Sequence, residues 1–204
     1  MALVKYNNNS ISAVTSAASI PSGALTLIKT LTASSSSTLS FVHGSSDVVL
    51  DSTYPIYMFK FINIHAGTNE ADFQVNYTTD GSNFNATQTS TFFGAYHAEN
   101  GSYSGLSYYT SNDVAQGADA GLGDSQSSNN DASLSGELML FNPSSTTFVK
   151  HWLATTNLDE VNAVNTNYCA GYVNSTSAVT GVGFKFHTGN IDAGTIKLYG
   201  IKDS

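Results

Sequence analysis

There is no arginine in this chain. Its seven basic residues are all lysines, so no planar guanidinium is present to grip a phosphate or carboxylate through two parallel hydrogen bonds. Acidic residues outnumber them and leave a formal net charge of -8, which excludes the clustered basic surface that direct nucleic-acid binding requires. The same charge is repelled by anionic membranes. One cysteine, Cys169, rules out a disulfide within the chain and any multi-cysteine zinc site. Its setting in Tyr168-Cys169-Ala170-Gly171-Tyr172-Val173 predicts an inert buried thiol. No apolar run approaches the roughly 18 residues of a membrane span. The opening Met1-Ala2-Leu3-Val4-Lys5-Tyr6-Asn7 lacks the apolar centre of a signal peptide, so the expectation is a protein made in a reducing cytoplasm. The Asn-x-Ser/Thr triplets at Asn76, Asn85, Asn100 and Asn174 are accordingly read as chance.

What is abundant is Ser, Thr, Asn, Gly and aromatics, with only 11% of residues charged against roughly 25% in an average soluble domain. The densest apolar stretch, Tyr54-Pro55-Ile56-Tyr57-Met58-Phe59-Lys60-Phe61-Ile62-Asn63-Ile64, reads as a central strand. It offers Tyr57, Phe59 and Phe61 to one side and Ile56, Met58, Ile62 and Ile64 to the other. Both sides being apolar, the expectation is a strand packed on both faces.

Around this run, residues 1 to 23 read as an extended arm and 24 to 204 as one β domain. Leu25 to Val42 predicts a hairpin turning at the serine run Ser34 to Ser37. Phe73, Val75 and Tyr77, then Ala86 to Tyr96, extend the central strand into a meander, with Gly81 supplying a positive φ in the turn between them. Residues 99 to 135 read as one long structureless loop insertion. Leu158 to Thr166 is the best helical candidate, though too short to be more than a loop. Later strands are expected at Glu137–Asn142, Thr147–Ala154, Tyr168–Val173, Val182–His187 and Thr195–Ile201. The pattern predicts an all-β, two-sheet antiparallel β-sandwich of jelly-roll type with an N-terminal arm. Its core is expected to hold Phe41, Phe59, Phe61, Phe73, Val75, Phe141, Phe184, Phe186 and Leu198.

Chemistry is sparse. There is no Gly-x-Ser-x-Gly elbow and no His-Glu-x-x-His, and His43, His65, His97, His151 and His187 fall singly at strand ends. Asp113, Asp119, Asp124 and Asp131 do not follow the EF-hand spacing and read as solvated loop acids. Paired carboxylates for glycoside hydrolysis have no distinctive context. No enzyme activity, cofactor or metal is expected. Tyr103, Tyr108 and Tyr109 are the candidate recognition or interface residues, because tyrosines on a Gly/Ser-rich loop give contact area at low entropic cost. The alternative is that they fold back as a lid.

Two segments carry a resemblance. Leu25 to Val42, continuing through Ser46-Asp47-Val48-Val49-Leu50-Asp51-Ser52-Thr53-Tyr54 and Phe59 to His65, resembles the virion structural proteins of tailed bacteriophages, marine ones in particular. Gly183-Phe184-Lys185-Phe186-His187-Thr188-Gly189-Asn190-Ile191-Asp192-Ala193-Gly194-Thr195-Ile196-Lys197-Leu198-Tyr199-Gly200-Ile201 is similar to the closing strand pair of the same group. The resemblance implies a non-enzymatic virion component, of tail-fibre or capsid-decoration type, whose partners are other virion proteins. A homotrimer follows by analogy. The alternatives are a carbohydrate-binding module for a host-surface glycan and, behind it, a glycan depolymerase.

Overall fold

The central run does become a central strand, and the chain builds two sheets around it. The computed structural model describes residues 25–160 and 162–202; the expected arm, residues 1 to 23, lies outside them. Among the described residues the strands are β1 (Leu25–Thr32), β2 (Leu39–Val42), β3 (Ile56–Ala66), β4 (Ala71–Thr78), β5 (Gln88–Ala98), β6 (Ser104–Tyr108) and β7 (Ala115–Gly117). They continue as β8 (Ala120–Gln126), β9 (Leu134–Phe141), β10 (Lys150–Asp159), β11 (Ala163–Val173), β12 (Gly181–Phe186) and β13 (Ile191–Ile201). The larger sheet runs β1-β13-β3-β9-β10-β11-β5-β6, with β7 also paired to β5, and the smaller runs β2-β12-β4-β8. Every named pairing is antiparallel, and the fold is an all-β sandwich.

Between the sheets lies a phenylalanine cluster. Phe184 of β12 has Phe59 and Phe61 of β3 at centroid distances of 5.2 Å each, Phe73 of β4 at 6.0 Å and Phe41 of β2 at 6.3 Å. Most of these pairs meet edge to face, the arrangement the ring quadrupole favours. Eight of the nine expected core residues are buried; Phe141 is the exception, half-buried on the far side of β9.

Several expectations fail for identifiable reasons. Leu25 to Val42 is not a hairpin: β1 pairs with β13 in the large sheet and β2 with β12 in the small one. Nor do β3, β4 and β5 form a meander, since β4 belongs to the small sheet and its two chain neighbours to the large. Alternation along a strand tells which side is apolar and says nothing about which strand lies alongside. Ile64 turns inward with Phe61, because a bulge at Asn63, whose φ is +50°, inserts one residue and flips the parity beyond it.

The supposed loop over 99–135 holds β6, β7, β8 and the start of β9. In β8 the core residues are only Ala120 and Leu122, both fully buried, while Gly123 lets the strand close upon Leu134 and Leu158. A strand made of such small residues carries almost no hydrophobic period. Leu158 to Thr166 is a hairpin between β10 and β11, with Leu158 opposite Asn165.

The turn after β4 holds as expected, with Gly81 at a φ of +79°. Asp80 organises it. Its Oδ1 accepts from Thr78 Oγ1 at 2.8 Å and from the backbone N–H groups of Ser82 at 2.9 Å and Asn83 at 2.8 Å, and Asn83 Nδ2 donates to its Oδ2 at 2.6 Å. The hydrogen bonds from Asn83 first, then those from Ser82 and Thr78, hold the Asp80 carboxyl far below the usual carboxylate range.

Two outcomes follow from this packing and this turn. Phe59→Ala should cost about 3–5 kcal/mol in a denaturant titration, and a loss under about 1 kcal/mol would show that the cluster is not central. Because the folded-state pKa of Asp80 lies below the unfolded value of about 3.9, its stabilisation is present above about pH 4 and is lost as pH falls further. Asp80→Ala should therefore lower Tm at neutral pH, and its gap from wild type should narrow below about pH 4 in thermal melts. A gap independent of pH would refute the carboxylate's role.

Candidate binding face

The small sheet covers one face of the large sheet, and the other face is open among the described residues. In β5, β10 and β11 the residues alternate between buried inward positions and outward ones. A surface strand normally fills such outward positions with polar residues, but here apolar side chains line up in register. Leu27, Tyr199, Met58, Met139, Leu153, Ala170 and Thr91 stand opposite one another across β1, β13, β3, β9, β10, β11 and β5. Seven strands spaced about 4.8 Å apart make this stripe roughly 29 Å long. Beside it run Leu25, Ile201, Ile56 and Phe141. Leu27 and Leu153 are 52% and 47% exposed.

Around Ala170 the stripe dips, because Ala170 and Thr91 are small and aromatic pairs rise on either side. Phe93 and Tyr168 stack with centroids 5.3 Å apart and planes 18° from parallel, and His151 and Tyr172 lie 5.9 Å apart on the other side. Each pair walls a shallow depression, of about 280 Å³ by Phe93 and Tyr168 and about 290 Å³ by His151 and Tyr172. Charge is nearly absent: next to the stripe Lys60 bonds Glu137 across the β3–β9 pair, and Lys197 flanks Lys60. An exposed pair of this kind contributes little to stability.

The three candidate tyrosines part company. Tyr108 stands on this face opposite Phe93, half exposed, and its hydroxyl donates to Asp113 Oδ2 at 2.5 Å, which raises its pKa. Tyr103 is also half exposed, with its ring 6.1 Å from Tyr96. Tyr109 turns inward onto Phe92, edge to face at 5.5 Å, and burial is the main cause that raises its pKa. Both readings of the loop thus describe different residues of it. The outward aromatics that were missed, Phe93, Tyr168 and Tyr172, carried one signal: large apolar residues at the outward positions of strands whose inward positions were already filled.

Remaining sequence candidates serve the fold. His43 Nδ1 accepts from the Leu50 N–H at 3.1 Å and His187 Nδ1 from the Asp72 N–H at 2.8 Å, while His65 Nε2 lies 3.0 Å from the Asn129 carbonyl. Asp119 takes Lys185 at 2.8 Å and Asn76 at 2.9 Å. Asp131 lines a groove with His97, Glu99 and Asp159 at the far end of β10 and β11. Asp124 is the unusual acid, its pKa pushed up to about 6 by burial and then by Asp72 and Glu160.

The chain matches no protein-family model, no curated protein and no solved structure. Its function must therefore be read from the geometry just described.

Substitution separates the tyrosines. Tyr109→Ser should destabilise by about 2–3 kcal/mol as the truncation of a partly buried aromatic packed against the core, whereas Tyr103→Ser and Tyr108→Ser should each stay within about 0.5 kcal/mol. Chemical denaturation of the three single variants measures this, and equal losses would contradict the division.

Proposed function

We propose that this chain is a non-enzymatic structural protein of a bacteriophage virion, displayed on the particle exterior as a capsid-decoration or tail-fibre subunit and built as a jelly roll. The observation that carries the reading is the open apolar face of the large sheet. Isolated exposed apolar residues are ordinary, but a contiguous stripe on a soluble chain marks a surface that is covered in use. A cover supplied by a second copy suits a face with so little charge to desolvate, and a repeated subunit of a particle meets copies of itself by design. The strand order supports the jelly roll. Taking β1-β13-β3-β9 against β2-β12-β4-β8 gives two four-stranded sheets with chain crossings between them, an architecture that viral capsid domains and lectins share. Fold alone does not decide between those two roles.

A carbohydrate-binding reading has one specific observation in its favour, the two depressions walled by Phe93–Tyr168 and His151–Tyr172. Flat aromatic walls over a small-residue floor suit the apolar face of a sugar ring.

Placement on the particle is tested by mass spectrometry and immunogold labelling of virions whose genome encodes the chain. Exterior labelling is expected, and absence from purified particles would overturn the reading. Leu153→Lys should convert the oligomer to monomer in light-scattering chromatography with unchanged circular dichroism. An oligomer that survives the change would remove the face from subunit contact. On a glycan array a sugar-dependent signal lost in Tyr168→Ala and Tyr172→Ala would favour the carbohydrate reading instead.

A further inference from the structure

Side-chain size is ordered along the apolar stripe. At the β1 end Leu25 and Leu27 stand half exposed, and Tyr199, Met58 and Met139 follow across β13, β3 and β9. At the β5 end, past Leu153, come only Ala170 and Thr91, with the two depressions beside them. The strand midway between these ends is β9. Knobs at one end and hollows at the other, equally far from Met139, make the face complementary to a copy of itself turned end for end.

We infer, resting on the reading that a second copy covers this face, that two copies pack large sheet to large sheet about a two-fold axis lying between them, parallel to β9 and passing between their Met139 side chains. Turned about that axis, Leu27 of one copy faces Thr91 of the other, Tyr199 faces Ala170 and Met58 faces Leu153. Met139 faces itself. Each off-axis contact occurs twice, as an isologous interface requires. An axis along the stripe would instead set Leu27 on Leu27 and Ala170 on Ala170, stacking knobs on knobs and leaving the hollows empty, with the loss of contact that voids bring. A twisted sheet turned over about one of its own strands keeps its twist, so the two surfaces follow each other across the stripe.

The neighbouring row favours the same axis. It runs Thr30, Lys197, Lys60, Glu137, Thr155, Tyr168 and Phe93 across the same strands. The turn carries Lys197 over Tyr168, which stacks with Phe93, so an ammonium meets an aromatic pair. It also carries Lys60 of the second copy over Thr155, next to Glu137. Each Glu137, already bonded to the Lys60 of its own copy, then lies between two lysines, which offsets the meeting of the two carboxylates on the axis. Three rows about 7 Å apart and about 29 Å long offer roughly 600 Å² per copy, about 1,200 Å² for the pair, which reaches the lower end of stable interfaces.

The test uses the full chain. Light-scattering chromatography should give the mass of a dimer, and Ala170→Trp, which fills the hollow that receives Tyr199, should weaken the dimer at least tenfold with unchanged circular dichroism. A short bis-maleimide then maps the axis. Met139→Cys should cross-link to itself, whereas Met58→Cys and Leu153→Cys should each stay single alone and cross-link when the two variants are mixed. Wild type, whose Cys169 is buried, should not react. If Ala170→Trp fails to fold, the cross-links decide alone. A trimer, or Leu153→Cys joined to itself, would overturn this geometry. So would a dimer that Leu153→Lys disrupts but Met139→Cys does not cross-link, although the face would remain a subunit contact. A wild-type monomer would overturn the geometry and the subunit contact together.

Discussion

The two sheets are held together by Phe184. Its ring meets Phe41, Phe59, Phe61 and Phe73 from three other strands, so one side chain fixes both the separation of the layers and their relative position. The constraint is geometric as well as hydrophobic. Edge-to-face contacts need each ring at a defined tilt, and close-packed interiors do not tolerate a ring displaced by even a methylene. Since β12 carries Phe184 between β2 and β4, the placement of the whole small sheet depends on this contact.

From that arrangement follows an inequality between the faces of the large sheet. The small sheet has four strands and the large sheet more than twice as many, so covering must run out. On the inner side β8 reaches as far as β10, β11 and β5, where Thr156 Oγ1 bonds the Leu122 carbonyl and asparagines replace phenylalanines. On the outer side the described residues offer no cover at all, yet the apolar rows continue across the sheet. The open outer face and the polar inner end of the large sheet are two consequences of one shortage of covering layer.

Low charge shapes the first of these. With few ions to desolvate, the outer face can be buried against another surface at little electrostatic cost. Three of the chain's seven lysines have fixed partners: Lys60 and Lys185 bond carboxylates, and the buried Lys150 bonds the Ser175 carbonyl at 2.9 Å.

The sequence by itself determined the class of the fold, the position of its central strand and the phenylalanines at the centre of its core. Phe59, Phe61, Phe73 and Phe184 were legible because alternation at a period of two is a property of each strand alone. Partnership between strands was not. Whether β1 joins β2 or β13 depends on contacts between residues far apart in the chain, and local pattern carries no record of them. For the same reason the outward stripe was invisible: Leu27, Met58, Met139 and Leu153 belong to four strands and become one surface only when the registers are set. β8 escaped notice because alanine and glycine pack flat without a hydrophobic signal. Asp124 looked like a solvated loop acid until the tertiary fold placed it beside Asn112, Tyr109 and Glu160, where burial and neighbouring charge, neither of them local, give it its character.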